Sequence, residues 1–247
     1  MMYSDLTTLA GKAVLVTEGT TEIGRATAAL LVENKATVMI FGRQLPELDD
    51  ALNQISMKFP DGTIYGILAD AAEDADIKSV FEEVDRILGP IDILVNNAGL
   101  PYNTIIEEDY DEWQYLLNTN LFVYMAYAHE AVKRMAAKGS GHIVNIGAMT
   151  EKERSSAVLV ATKSGIEGFS LALGKEINTK GIKVTFIESD AVGSDIEELP
   201  IIEQMENVEK IAVLKAEDIA ASIYYALMQP KRCDVVEIKL RASFQLI

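Results

Sequence analysis

Apolar residues fall along this chain in two kinds of segment that alternate. Short runs rich in valine, isoleucine, leucine and phenylalanine occur at Ala13–Thr17, Thr37–Phe41, Thr63–Ala69, Ile91–Asn96, His142–Ile146, Lys183–Ile187 and Val235–Leu240. Between them, at Glu22–Glu33, Pro46–Lys58, Ile77–Leu88, Tyr110–Ala137, Ala157–Ile177 and Ala216–Met228, apolar residues recur at three- and four-residue steps. The first pattern predicts strands buried on both faces, and the second predicts helices with one apolar side. Their alternation predicts βαβ units, right-handed crossovers and a doubly wound, seven-stranded parallel sheet with helices on both faces. No internal repeat or low-complexity linker divides the chain, so residues 1–247 are expected to form a single domain. Ser189–Val208, acidic and weakly periodic, reads either as a flap beside a substrate or as a surface loop.

Composition narrows the class. With 49% apolar residues and a mean hydropathy of +0.13, a chain of this length can bury a large core as one α/β domain. Its longest unbroken apolar runs fall short of the roughly 20 residues that span a bilayer, and its first residues lack the basic-then-apolar order of a signal peptide. A cytoplasmic protein without a membrane partner is expected. Against 38 acidic residues stand 22 basic ones, a formal charge of −16 that repels nucleic acid. One cysteine, Cys233, excludes an intramolecular disulfide framework and any cysteine-cluster metal site. His129 and His142 make no metal signature, so no metal is expected.

The chemistry lies where the first strand meets the first helix. Thr17-Glu18-Gly19-Thr20-Thr21-Glu22-Ile23-Gly24 reads as a tight turn of the layout that cradles a dinucleotide pyrophosphate. It resembles the Thr-Gly-x-x-x-Gly-Ile-Gly turn of the short-chain dehydrogenase/reductase family. The likeness continues through Asp70 after the third strand, Asn96-Asn97-Ala98-Gly99 after the fourth, Trp113 with Asn120-Leu121, the fifth strand Gly141–Ala148, and Thr162-Lys163 through Gly168-Phe169-Ser170. It thus covers nearly the whole chain. The resemblance implies a Rossmann-type fold, NADP or NAD as cofactor, and a cofactor site at Thr17, Gly19, Ile23, Gly24, Arg43, Asp70, Asn97, Ala98 and Gly99. Arg43 sits where family members that prefer NADP often carry a basic residue.

The same resemblance marks departures, all facing one crevice. Glu18 and Glu22 stand where the family has glycines that take backbone angles closed to other residues or admit the phosphates. Two unit charges about 4 Å apart interact by roughly 1 kcal/mol in water and about 4 kcal/mol at an effective dielectric of 20, so each glutamate weakens pyrophosphate binding. A glutamate at a positive-φ site adds about 1–3 kcal/mol of strain. Three outcomes stay open: Glu22 turns its carboxylate onto the free amides of the helix start, both glutamates face solvent on a reshaped turn, or the site still takes nucleotide. Of four catalytic positions, Asn120 and Lys163 keep the family's types. Leu159, four residues before Lys163, replaces the tyrosine acid/base, and Ala148 replaces the serine on the fifth strand. Where the family has Pro-Gly and a threonine, this chain has Ser189-Asp190 and then Ser194.

Neighbouring groups offer little replacement. Thr150, Ser155 and Ser156 carry aliphatic hydroxyls, far poorer acids than a phenol, and no tyrosine occurs between Tyr127 and Tyr224. Tyr102, His129 and His142 read as packing or surface residues. The sequence therefore supports, first, a pseudo-oxidoreductase with a binding or assembly role. The alternatives are an active NAD(P)-dependent oxidoreductase on a small carbonyl or hydroxy compound with a rebuilt acid/base, and a small-molecule sensor using the crevice. The family also implies a homo-oligomer, a dimer or tetramer, or a hetero-oligomer with an active relative. Its interface would be the helices Tyr110–Ala137 and Ala157–Ile177, which carry Leu117, Leu121, Ile166, Phe169 and Leu173.

Overall fold

The structure is a computed structural model that describes residues 6–99, 109–148, 157–189 and 213–243. Among these residues seven strands form one sheet: β1 (Ala13–Val16), β2 (Thr37–Gly42), β3 (Thr63–Leu68), β4 (Ile93–Asn96), β5 (Gly141–Ala148), β6 (Ile182–Ser189) and β7 (Glu237–Leu240). Their order is β3-β2-β1-β4-β5-β6-β7 and every pairing is parallel. The chain winds outward from β1 to β3, then returns to lay β4 on the other side of β1. That reversal opens a crevice at the carboxyl ends of β1 and β4.

The described helices are α1 (Glu22–Glu33), α2 (Leu45–Lys58), α3 (Asp74–Ile87), α4 (Tyr110–Leu117), α5 (Val123–Lys138), α6 (Ala157–Ile177) and α7 (Ala216–Met228). Because successive strand residues point to opposite faces, β1 sends Val14 and Val16 one way and Leu15 the other. Val14, Val16, Val38 and Ile40 meet α1, α2 and α7, while Leu15, Met39, Phe41 and Leu94 meet α3, α5 and α6. Both faces are thus dry, which explains why the central strands read as unbroken apolar runs.

The ends of several elements differ from the sequence pattern. The expected helix over Tyr110–Ala137 is broken by a π-helical turn at Asn118–Phe122 that separates α4 from α5. A widened turn keeps the apolar recurrence nearly in phase, so periodicity does not reveal it. Helix α3 begins three residues early, its first turn carrying Asp74 and Asp76 against the exposed amides. Strand β4 begins at Ile93, and just before it the Asp92 carboxylate accepts from the Ala13 amide at 3.0 Å and from Lys12 and Lys138. Burial works against that charge, but these donors together hold Asp92 below the ordinary carboxylate value. The clamp ties β1, β4 and α5 at the end of the sheet opposite the crevice.

Helix α6 packs along β5 and β6 with Ile166 and Ile177 in the core. It is long and apolar enough, by length and composition alone, to cross a membrane, yet most of its surface is exposed beside the sheet. Leu121, Phe169 and Leu173 pack partly buried on the same core, whereas Leu117 is 41% exposed.

Candidate functional site

The turn after β1 is pinned from several sides. The Thr17 amide donates to the Val95 carbonyl and the Gly19 amide to the Phe41 carbonyl, both at 3.0 Å. Asn97, just past β4, donates its backbone amide to the Thr17 hydroxyl at 2.8 Å and its side-chain amide to the Glu18 carbonyl at 3.2 Å. On the helix side Arg25 donates to the Thr20 carbonyl at 2.7 Å and pairs with Asp50 at 2.8 Å. Gly24 is required where α1 starts: a Cβ there would lie 2.3 Å from the Glu18 carbonyl oxygen and 2.7 Å from the Asn97 amide. The close approach of helix, turn and β4 is therefore intact, and Thr17, Gly19, Ile23, Gly24, Asn97, Ala98 and Gly99 gather at the crevice.

Glu18 and Glu22 adopt left-handed backbone, φ +49° and +46°. The turn is not reshaped to relieve them. The two then diverge. Glu22 is exposed at the first residue of α1, whereas Glu18 is partly buried among Arg43, Asp70 and Glu47. Glu18, two residues past the end of β1, is the more buried of the two and lies among groups from the ends of β2 and β3. Burial pushes the Glu18 carboxyl up to about 7; Arg43 opposes this, and Asp70 and Glu47 add to it.

Arg43 and Asp70 are also engaged. Arg43 donates to the Tyr115 hydroxyl on α4 at 3.1 Å, spanning the crevice mouth. Asp70 accepts from the Ala72 amide at 2.9 Å, a local turn that opens the way to α3.

On the other wall, Asn120 is fully buried in the π-helical turn, and Lys163 projects from α6 so that its Nζ lies 3.3 Å from where a Cβ on Gly99 would sit. Leu159 lies one turn before Lys163, its carbonyl accepting from the Thr162 hydroxyl at 2.8 Å. Ala148 ends β5, paired in register with Ser189. Two buried tyrosines that the sequence did not single out lie nearby. Tyr124 has its hydroxyl 2.8 Å from the Ala98 carbonyl and 2.7 Å from that of Ile146, and burial pushes its pKa far above the usual phenol. Tyr127, stacked on Phe41 at 5.4 Å, is pushed the same way by burial and then by Glu18, Asp76 and Asp70. Burial disfavours ionisation of both phenols. A buried chain links Asn96 to Asn145 at 2.8 Å and Asn145 to Ser170 at 2.9 Å, fixing α6 against β4 and β5.

The remaining candidates lie apart from the crevice. His142 is buried in β5 against the Thr185 hydroxyl at 2.8 Å, and burial, followed by the Lys183 charge, drives it down to about 3. It is neutral and structural. His129 is exposed on α5, Cys233 is an exposed free thiol, and no metal-binding cluster occurs among the described residues. Tyr102, Thr150, Ser155, Ser156, Ser194 and the loop beyond Ser189 lie outside the described residues.

Comparison with known proteins converges on one family. The family described as short chain dehydrogenase matches residues 12–200. An uncharacterized oxidoreductase of Staphylococcus aureus (strain USA300) is 30% identical over 239 residues, covering 96% of this chain and 99% of its own. A Staphylococcus haemolyticus uncharacterized oxidoreductase is 28% identical over the same span. Among solved structures, a metagenomic short-chain oxidoreductase in complex with NADP has a TM-score of 0.82 at 22% identity, covering 97% of this chain and 100% of its own. An actinorhodin polyketide ketoreductase variant with NADPH scores 0.83 at 24% identity, covering 96% of this chain and 97% of its own. The doubly wound sheet, the β1–α1 turn and these relatives together make this chain a member of the short chain dehydrogenase family.

Proposed function

We propose that this protein has lost hydride transfer and serves as a binding or assembly protein, a pseudo-oxidoreductase of its family. One observation carries the reading: α6 presents Leu159, one turn before Lys163, at the position where the family resemblance calls for a phenol. Leucine has no exchangeable proton, so the lysine has no acid to activate. Burial pushes the phenols of Tyr124 and Tyr127 upward, which disfavours either as a replacement.

The cofactor side supports the same reading. A pyrophosphate at this turn would meet the Glu18 side chain, partly buried on left-handed backbone, with Asp70 and Glu47 around it and Arg43 turned toward Tyr115. These residues fit a nicotinamide dinucleotide poorly. As partner we propose a second copy of this chain or an active relative, docked on the exposed faces of α5 and α6.

The second reading, an active NAD(P)-dependent oxidoreductase with a rebuilt acid/base, draws support from the relatives named oxidoreductases and the neighbours solved with NADP or NADPH. A sensor that uses the crevice shares the first reading's lack of turnover. Restoring the chemistry separates these. Ala148→Ser with Leu159→Tyr leaves NADPH oxidation at background, Glu18→Gly with Glu22→Gly brings cofactor binding without turnover, and the fourfold variant alone reduces a generic dicarbonyl. Turnover by the Ala148→Ser, Leu159→Tyr pair alone would contradict the cofactor half of the reading.

A further inference from the structure

We infer that Glu18, and not Glu22, closes the crevice to phosphate-bearing ligands, and that the crevice opens when the Glu18 carboxyl takes up a proton. This deepens the loss-of-function reading and rests on it, since a crevice that held dinucleotide at every pH would need no gate. The carboxyl groups differ in what surrounds them. Glu22 is exposed at the first turn of α1. Glu18 is walled in. From the end of β2 comes Arg43, from α2 Glu47, from the β3–α3 connection Asp70, and from α5, stacked beneath on Phe41, Tyr127, which also feels Asp76 of α3.

This set is strongly acidic. Arg43 is the cation among the groups acting on Glu18, and it is shared with the Tyr115 hydroxyl across the mouth. The Tyr127 hydroxyl is buried without a hydrogen-bond partner among the described residues. An ionised Glu18 therefore adds a further, poorly solvated negative charge at this turn, and a phosphate entering there meets like charge at low effective dielectric. A protonated Glu18 removes that charge and becomes a donor. Burial sets this exchange at about 7, within the range over which the protein can be handled. The backbone cannot carry the side chain away: the Glu18 carbonyl is held by Asn97 at 3.2 Å and backs directly onto Gly24.

The experiment is a fluorescence titration with NADH at pH 6 and pH 8 of the full chain and its Glu18→Gln and Glu22→Gln variants. NADH serves because the 2′-phosphate of NADPH itself titrates near pH 6. If only the protonated crevice binds, affinity scales with its fraction, and the parent binds NADH about tenfold more tightly at pH 6 than at pH 8. Glu18→Gln binds equally at both pH values, at least as tightly as the parent at pH 6, and Glu22→Gln follows the parent. Glu18→Gly, which suits the left-handed backbone, gives the same answer if glutamine perturbs folding. Glu18→Gln binding no better than the parent at pH 8, or Glu22→Gln abolishing the pH dependence, overturns the gate while leaving the loss of hydride transfer untouched. Tight NADH binding by the parent at pH 8 overturns the gate and the proposed misfit of the cofactor together.

Discussion

A glutamate in left-handed backbone beside a buried pocket is costly twice over. The backbone strain is of order 1–2 kcal/mol, and the carboxyl is deprived of water where it ionises. Burial raises the folded-state value to about 7 from 4.5, so folding takes up a proton between those values. The contribution of Glu18 to stability is therefore fully present below pH 4.5 and lost as pH rises through 7. Discounted for partial exposure, the loss is roughly 1–3 kcal/mol. Denaturant melts at pH 5 and pH 8 read it: the parent loses that stability relative to Glu18→Gln, which keeps the strain but not the charge. Parallel profiles for the two proteins would remove Glu18 from the buried position assigned to it. The turn motif pointed to positive φ at Glu18 and Glu22 but left a reshaped turn open, which the observed angles of +49° and +46° exclude. Which glutamate turns inward was not, since that depends on Arg43, Glu47 and Asp70, brought alongside from separate elements.

At the scale of elements, periodicity located nearly every helix and strand but concealed the π-helical turn at Asn118–Phe122, since the extra residue disturbs hydrogen bonding more than apolar spacing. That turn buries Asn120 and sets where the exposed side of α5 begins. Phe122 and Met125 are 44% and 39% exposed, and they share their helical stripe with the exposed His129. They also line a groove of about 580 Å³ with Ile77 and Phe81 of α3. Beside them α6 shows solvent a side of small residues, Ala161, Ser164 and Gly168, on which another helix can lie close. The proposed assembly would bury this face. Light scattering is expected to give two or four times the 27.0 kDa chain mass, falling to one chain in Phe122→Glu with Met125→Glu. A parent that runs as a single chain at micromolar concentration would contradict the assembly role.

At the scale of the whole molecule, the fold and its departures are governed by different residues. The sheet order follows from dry central strands joined by helical crossovers. Chemistry can therefore drain from the crevice while Asp92, the Asn96–Asn145–Ser170 chain and both cores hold the architecture. The buried polar chain was not legible, because asparagine in a strand signals nothing until its partner's strand is known. The most direct test of lost hydride transfer is the initial rate of NADPH oxidation by the parent and by Lys163→Ala, with a generic dicarbonyl or quinone at saturating cofactor. Both are predicted to run at the background rate, indistinguishable from each other. Robust turnover by the parent that Lys163→Ala abolishes would show that another acid has replaced the phenol missing at Leu159, and that the protein is a working oxidoreductase.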